Sequence, residues 1–151
     1  MMKRITSLLL IAIMMCALYG CANGKMTMSW TYAVDTGEKV TVKVLINDGY
    51  SISSQVPFAI SQNGQILTQG TFIKGEACEQ YREAAKTQDG ATFLEEGMIG
   101  NHQYFAWSFN DSEWNYCIQL KGGKTGILLG NNVSRDSAKE VFSRLEVAIE
   151  A

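Results

Sequence analysis

The chain has 151 residues, 46% of them hydrophobic and 19% charged, with a formal net charge of −2. That composition suits one globular domain and excludes disordered and fibrous classes. The mild acidity offers no cluster of Lys and Arg to track a phosphate backbone, so nucleic acid is not an expected partner.

Residues 1–20 read as an export signal. Lys3 and Arg4 form a cationic start, and Leu8 to Leu18 is an unbroken apolar run of 11 residues. A run of that length is a signal-peptide core, well short of the roughly 20 residues that span a bilayer. The run ends in Leu18-Tyr19-Gly20-Cys21, which resembles the lipobox of bacterial lipoproteins. Leu18 and Gly20 match that pattern, while Tyr19 stands where Ala, Ser or Thr is usual. The resemblance implies cleavage before Cys21 and a diacylglyceryl group on its thiol. Two acyl chains hold a protein stably to a membrane, where one would be marginal. Without Lys3 and Arg4 the charge becomes −4, so attraction to anionic lipid is not expected to help.

Residues 21–25 then form a short tether. The four residues Ala22 to Lys25 span roughly 13 Å when extended, which keeps the domain near the bilayer. In a Gram-negative cell, Ala22 does not resemble the aspartate that retains lipoproteins at the inner membrane, and the outer membrane is the expected address. Residues 26–151 form the single folded domain.

The first mature segment alternates with period two. Met26, Met28, Trp30, Tyr32 and Val34 share one side, as do Val40, Val42, Val44 and Ile46 beyond the turn Asp35-Thr36-Gly37-Glu38. This predicts a hairpin with one core face. A weak strand follows at Tyr50 to Ser53, after the turn Asn47-Asp48-Gly49. Pro57 marks an edge or a strand start in the Val56–Ile60 segment. Asn63-Gly64 is the strongest hairpin signal in the chain and leads into a strand over 65–73.

The spacing changes to helical over Glu76 to Lys86, with Ala77, Cys78, Tyr81, Ala84 and Ala85 inward. Strands resume at Ala91–Glu95, His102–Phe109, Glu113–Lys121 and Thr125–Leu129. A closing helix starts at the N-cap Ser134, with Ala138, Val141, Phe142, Leu145, Ala148 and Ile149 as its apolar stripe. Strands, helix, strands, helix predict an α+β fold: a largely antiparallel sheet of about seven strands carrying a mid-chain and a C-terminal helix.

Candidates for chemistry are sparse. His102 is the sole histidine, so no His-based metal pair exists, and its place beside the Gly100-Asn101 turn predicts a surface or strand-edge residue. No G-x-S-x-G elbow accompanies it. Gly122-Gly123-Lys124-Thr125-Gly126 lacks the first glycine of a phosphate loop and reads as a hairpin turn. No metal site or cofactor is expected, and no residue is singled out as catalytic.

In the exported chain Cys78 and Cys117 are the two cysteines left after Cys16 and Cys21. They read either as a disulfide, closing a loop worth about 3–4 kcal/mol in the chain-entropy model, or as two buried thiols acting as small hydrophobes. Tyr104, Trp107, Trp114 and Tyr116 crowd two neighbouring strands. Most aromatic strand residues are core, yet a cluster this dense marks the best candidate binding surface.

The mature chain also resembles the PsbP-like α/β/α domains of photosynthetic extrinsic proteins and bacterial lipoproteins. The likeness is carried by Val56-Pro57-Phe58, by the mid-chain helix, and by Thr125-Gly126-Ile127-Leu128-Leu129 leading into a capped terminal helix. It is a likeness of order and pattern over most of residues 26–150. It implies a non-enzymatic binding or assembly role. The expected function is therefore a membrane-tethered, non-catalytic module for a small-molecule or protein partner. Two other readings stay open: a structural or stress-related envelope protein without a small ligand, and a hydrolase using Glu95, Asp111 and Glu113.

Overall fold

A computed structural model of the protein describes residues 24–150. Residues 1–20, read above as an export signal, and Cys21 lie outside the described residues. The fold is α+β, with ten strands and two α-helices among the described residues. In chain order these are β1 (Thr27–Ala33), β2 (Lys39–Leu45), β3 (Tyr50–Ile52), β4 (Phe58–Gln62), β5 (Gln65–Lys74), α1 (Ala77–Thr87), β6 (Ala91–Ile99), β7 (His102–Phe109), β8 (Glu113–Gln119), β9 (Thr125–Asn131), α2 (Arg135–Ser143) and β10 (Leu145–Ile149).

The strands form two antiparallel sheets instead of one. A seven-stranded sheet runs β3-β4-β5-β9-β8-β7-β6, and a three-stranded sheet runs β1-β2-β10. One face of the large sheet meets the small sheet and α2 across the main core. Tyr32, Val40, Val42 and Val44 of the small sheet pack there with Phe58, Ile60, Ile118 and Ile127 of the large one, and with Ala138 and Val141 of α2. The other face carries α1 over a smaller core of Cys78, Ala85, Phe105, Trp107 and Cys117.

The local chemistry explains the elements. β1 and β2 pair from Thr27↔Leu45 to Ala33↔Lys39, with Val40, Val42 and Val44 wholly buried. β4 and β5 join through Asn63 and Gly64, both at positive φ (49° and 84°), as a two-residue type I′ hairpin requires. Pro57 immediately precedes β4, where its missing N–H costs no ladder bond.

Side chains bind the two sheets together. The Trp30 indole N–H donates to the Ile52 carbonyl (3.0 Å), and the Tyr32 hydroxyl to the Ser53 carbonyl (2.6 Å). At the opposite end, Glu38 accepts from the Thr125 hydroxyl (2.6 Å) and the Lys124 backbone N–H (2.9 Å). The Thr125 hydroxyl proton is thus committed to Glu38, so Thr36 donates to the Thr125 oxygen at 2.6 Å. These bonds, Thr125 first and the Lys124 amide second, hold the Glu38 carboxyl below its ordinary value.

Because the folded pKa is depressed, the stabilisation is present above the unfolded glutamate pKa and is lost as pH falls through the folded one. Urea denaturation is therefore expected to show Glu38→Gln less stable than the parent at pH 7, with the gap closing once both are measured below the folded pKa. A gap that persists in acid would contradict this assignment.

The C-terminus departs from the expected long helix. α2 stops at Ser143, and Leu145, Val147 and Ile149 turn inward at period two while Glu146 and Ala148 are exposed. β10 pairs with β2 from Leu145↔Val44 to Ile149↔Val40. Arg144 fixes the junction: its guanidinium donates to the Leu45 and Asn47 carbonyls (3.2 and 2.9 Å) and lies 3.9 Å above the Tyr50 ring. The backbone groups of β2 need a second partner strand, and that requirement overrides the helical spacing of Leu145, Ala148 and Ile149.

Candidate functional site

The structure separates the four aromatic residues singled out from sequence. Strand pleating puts Tyr104, Trp114 and Tyr116 on the main-core face and Trp107 on the α1 face. Tyr116 is roofed by Phe142 of α2, stacked at 4.1 Å, and Tyr104 meets the same ring at 4.6 Å. Burial pushes the Tyr116 phenol up to about 12, so it stays neutral. Trp114 borders a crevice of about 10 Å³ with Leu94, Glu95, Arg135 and Lys139, room for one water at most. The predicted single surface is therefore divided, and three of its four residues pack on the main core.

Trp107 leads to a more open feature. Tyr81, Ala84 and Gln88 of α1 face Trp107, Phe109, Glu113, Asn115 and Leu128 of the sheet across a groove of about 270 Å³. That volume lies near the lower end of small-molecule clefts, roughly 300 Å³ and up. α1 is placed by its amphipathic pattern: Cys78 and Ala85 are buried against the sheet, which brings Tyr81 to the groove wall. Tyr81 and Trp107 have ring centroids 6.2 Å apart, and Trp107 in turn stacks on Phe105 at 5.4 Å. The aromatic wall is therefore backed by a packed ring and held in place.

The floor is Asn115. Ladder register sets it directly between Trp107 on β7 and Gly130 on β9. It is only 6% exposed and lines the groove. Gly130 has no side chain to take that amide up. A carboxamide offers two donors and an acceptor to whatever enters the groove. Glu113 and Gln88 add polar groups at the rim.

His102 is buried, not at the surface as its place beside a turn suggested. Its Nδ1 accepts from the Lys121 backbone N–H at 2.9 Å, so the proton lies on Nε2 and goes to the Val147 carbonyl at 3.0 Å. Both nitrogens are used in joining β10 to the large sheet. The carboxylates of the hydrolase reading do not converge: Glu95 borders the crevice on the main-core face, Glu113 the groove on the α1 face, and Asp111 is an exposed turn residue at φ 50°.

Cys78 and Cys117 do meet. Both are buried as free thiols in the same small core beneath α1. Tyr81, Gln88 and Asn115 escaped the sequence reading. The helical spacing gave Tyr81 as an inward residue, but no signal showed that β8 would place an asparagine under it. Compared with family models and with curated proteins, the chain matches none.

Proposed function

We propose that this protein is an extracytoplasmic lipoprotein, held at a membrane by acylated Cys21, whose domain binds a small ligand in the groove beneath α1 without chemically transforming it. The observation that carries the binding half is the Asn115 carboxamide at the floor of an aromatic-walled groove, between Trp107 and Gly130. Such a site suits a compact ring with an apolar face and a hydrogen-bonding edge, of which a pyranose sugar is the clearest example. The C–H face would lie on Trp107 and Tyr81, and the hydroxyl edge would reach Asn115.

The membrane half draws on the Leu18-Tyr19-Gly20-Cys21 pattern. The likeness to PsbP-like domains favours binding over catalysis. The engagement of both His102 nitrogens, and the placement of Glu95 and Glu113 on opposite faces, support the same choice.

A backbone-amide NMR titration with N-acetylglucosamine and glucose tests the groove. Shifts confined to Tyr81, Gln88, Trp107, Asn115 and their neighbours are expected, with at least a tenfold loss of affinity in Asn115→Leu. That loss corresponds to about 1.4 kcal/mol, modest for a hydrogen bond left unmade. Shifts centred elsewhere, or no shifts at millimolar sugar, would overturn the ligand class.

A further inference from the structure

We propose that Cys78 and Cys117 form an intramolecular disulfide when the chain folds in an oxidising compartment, pinning α1 to the large sheet. Four observations place the pair. Cys78 lies in the first turn of α1 and Cys117 in the middle of β8, and both belong to the small core beneath the helix. Their sulfurs are near enough for each to perturb the other's titration. Gly126 on β9 keeps space open beside them: a Cβ there would fall 2.6 Å from the Cys78 sulfur. Finally, the Arg82 guanidinium, one turn along the helix and paired with Glu79 and Glu96, lies 4.7 Å above the ring of Phe105, a member of that core.

The two sulfurs are not equivalent. Hydrogen bonding with Cys117 holds the Cys78 thiol below its ordinary value, helped by Arg82, while that bond and burial push Cys117 up. With α1 off the sheet those contacts are lost, and Cys78 is the attacking thiolate because it lies in the first turn of α1, where a helix N-terminus favours that form. The co-reactant is a disulfide-bearing oxidant. Cys78 attacks one of its sulfurs, and the other leaves as a thiolate that takes up a proton. Cys117 then gives up its proton and attacks the Cys78 sulfur, which releases the second oxidant sulfur as a thiol. The dithiol loses two protons and two electrons, and one oxidant disulfide becomes two thiols.

Burial decides when this happens. At 2% and 0% exposure neither sulfur is open to an oxidant in the folded protein. The bridge closes while α1 is off the sheet, during folding or in a local opening of the small core. It then encloses the chain from α1 through β6 and β7, and so restrains the helix that carries Tyr81. The inference does not depend on the groove's ligand.

The test refolds the reduced full chain with oxidised glutathione, alkylates it in denaturant and maps tryptic peptides without reduction. The expected product joins the peptide Gly75–Arg82 to the peptide Thr87–Lys121. Reduction should lower the melting temperature by roughly 10 °C. In Cys117→Ser, Cys78 should hold a glutathione it cannot shed, whereas Cys117 in Cys78→Ser should react several-fold more slowly. Separate alkylated peptides, or glutathione retained on both cysteines of the parent, would overturn the bridge. An unchanged melting temperature would overturn the pinning, and faster capture at Cys117 would overturn the order of attack.

Discussion

Replacing Gly70 with alanine is expected to destabilise the domain by about 3 kcal/mol, the upper range for overpacking a core. Gly70 on β5 pairs directly with Phe58 on β4, and the Phe58 ring lies across it. An alanine Cβ would fall 2.1 Å from Phe58 Cζ and within 2.7 Å of two more ring atoms. The ring has nowhere to go. It is wholly buried, with Tyr32 stacked at 5.5 Å and Phe72 at 5.7 Å. These three rings join the small sheet to the large one, so the strain falls at the centre of the main core. Thermal denaturation followed by circular dichroism is the measurement. Phe58→Leu should relieve the clash, so the double variant should lose about 1–2 kcal/mol less than the two single losses combined. A Gly70→Ala protein that melts with the parent would show that this packing is wrong.

The second large effect is expected at Asn131, where α2 begins. Asn131 is 1% exposed and uses its whole amide. Its Oδ1 accepts from the Val133 and Ser134 backbone N–H groups (2.9 and 3.3 Å), and its Nδ2 donates to the hydroxyls of Thr68 (3.0 Å) and Ser137 (3.1 Å). Alanine would strand two backbone donors and two hydroxyls at once, a loss of about 3 kcal/mol. Ser134 caps the same helix through one bond to the Ser137 N–H at 3.0 Å. Ser134→Ala should therefore cost only about 1 kcal/mol. Equal losses for the two variants in urea denaturation would contradict the network.

Much of this architecture was legible because local chemistry and the final fold agree. The alternation of Val40, Val42 and Val44 is the buried face of β2, Asn63-Gly64 is a tight hairpin, and Ser134 caps α2 through its side chain. Where reading failed, two local solutions competed. Leu145, Ala148 and Ile149 satisfy helical spacing, while Leu145, Val147 and Ile149 satisfy strand spacing. Only the pairing of β10 with β2 decides between them. His102 failed for a related reason: a residue beside a turn is buried when another strand crosses it, and β10 does.

The site was half legible. Trp107 stood out as an aromatic on a crowded strand, and Cys78 and Cys117, read as a disulfide or as two buried thiols, lie in one small core as free thiols. Asn115 carried no local signal, since its importance comes from register: it lies beside Trp107 and Gly130, below Tyr81. Alternation sets Tyr104 and Trp107 on opposite faces of their strand, but nothing in the sequence shows that Phe142 will cover Tyr104 and Tyr116.

The intact mass of the protein recovered from cell membranes bears most directly on the proposed role. The reading requires a chain that begins at Cys21, carries the added mass of a diacylglyceryl group there, and enters the detergent phase on extraction. A chain that starts at an unmodified residue, or one found wholly in the aqueous phase, would contradict it.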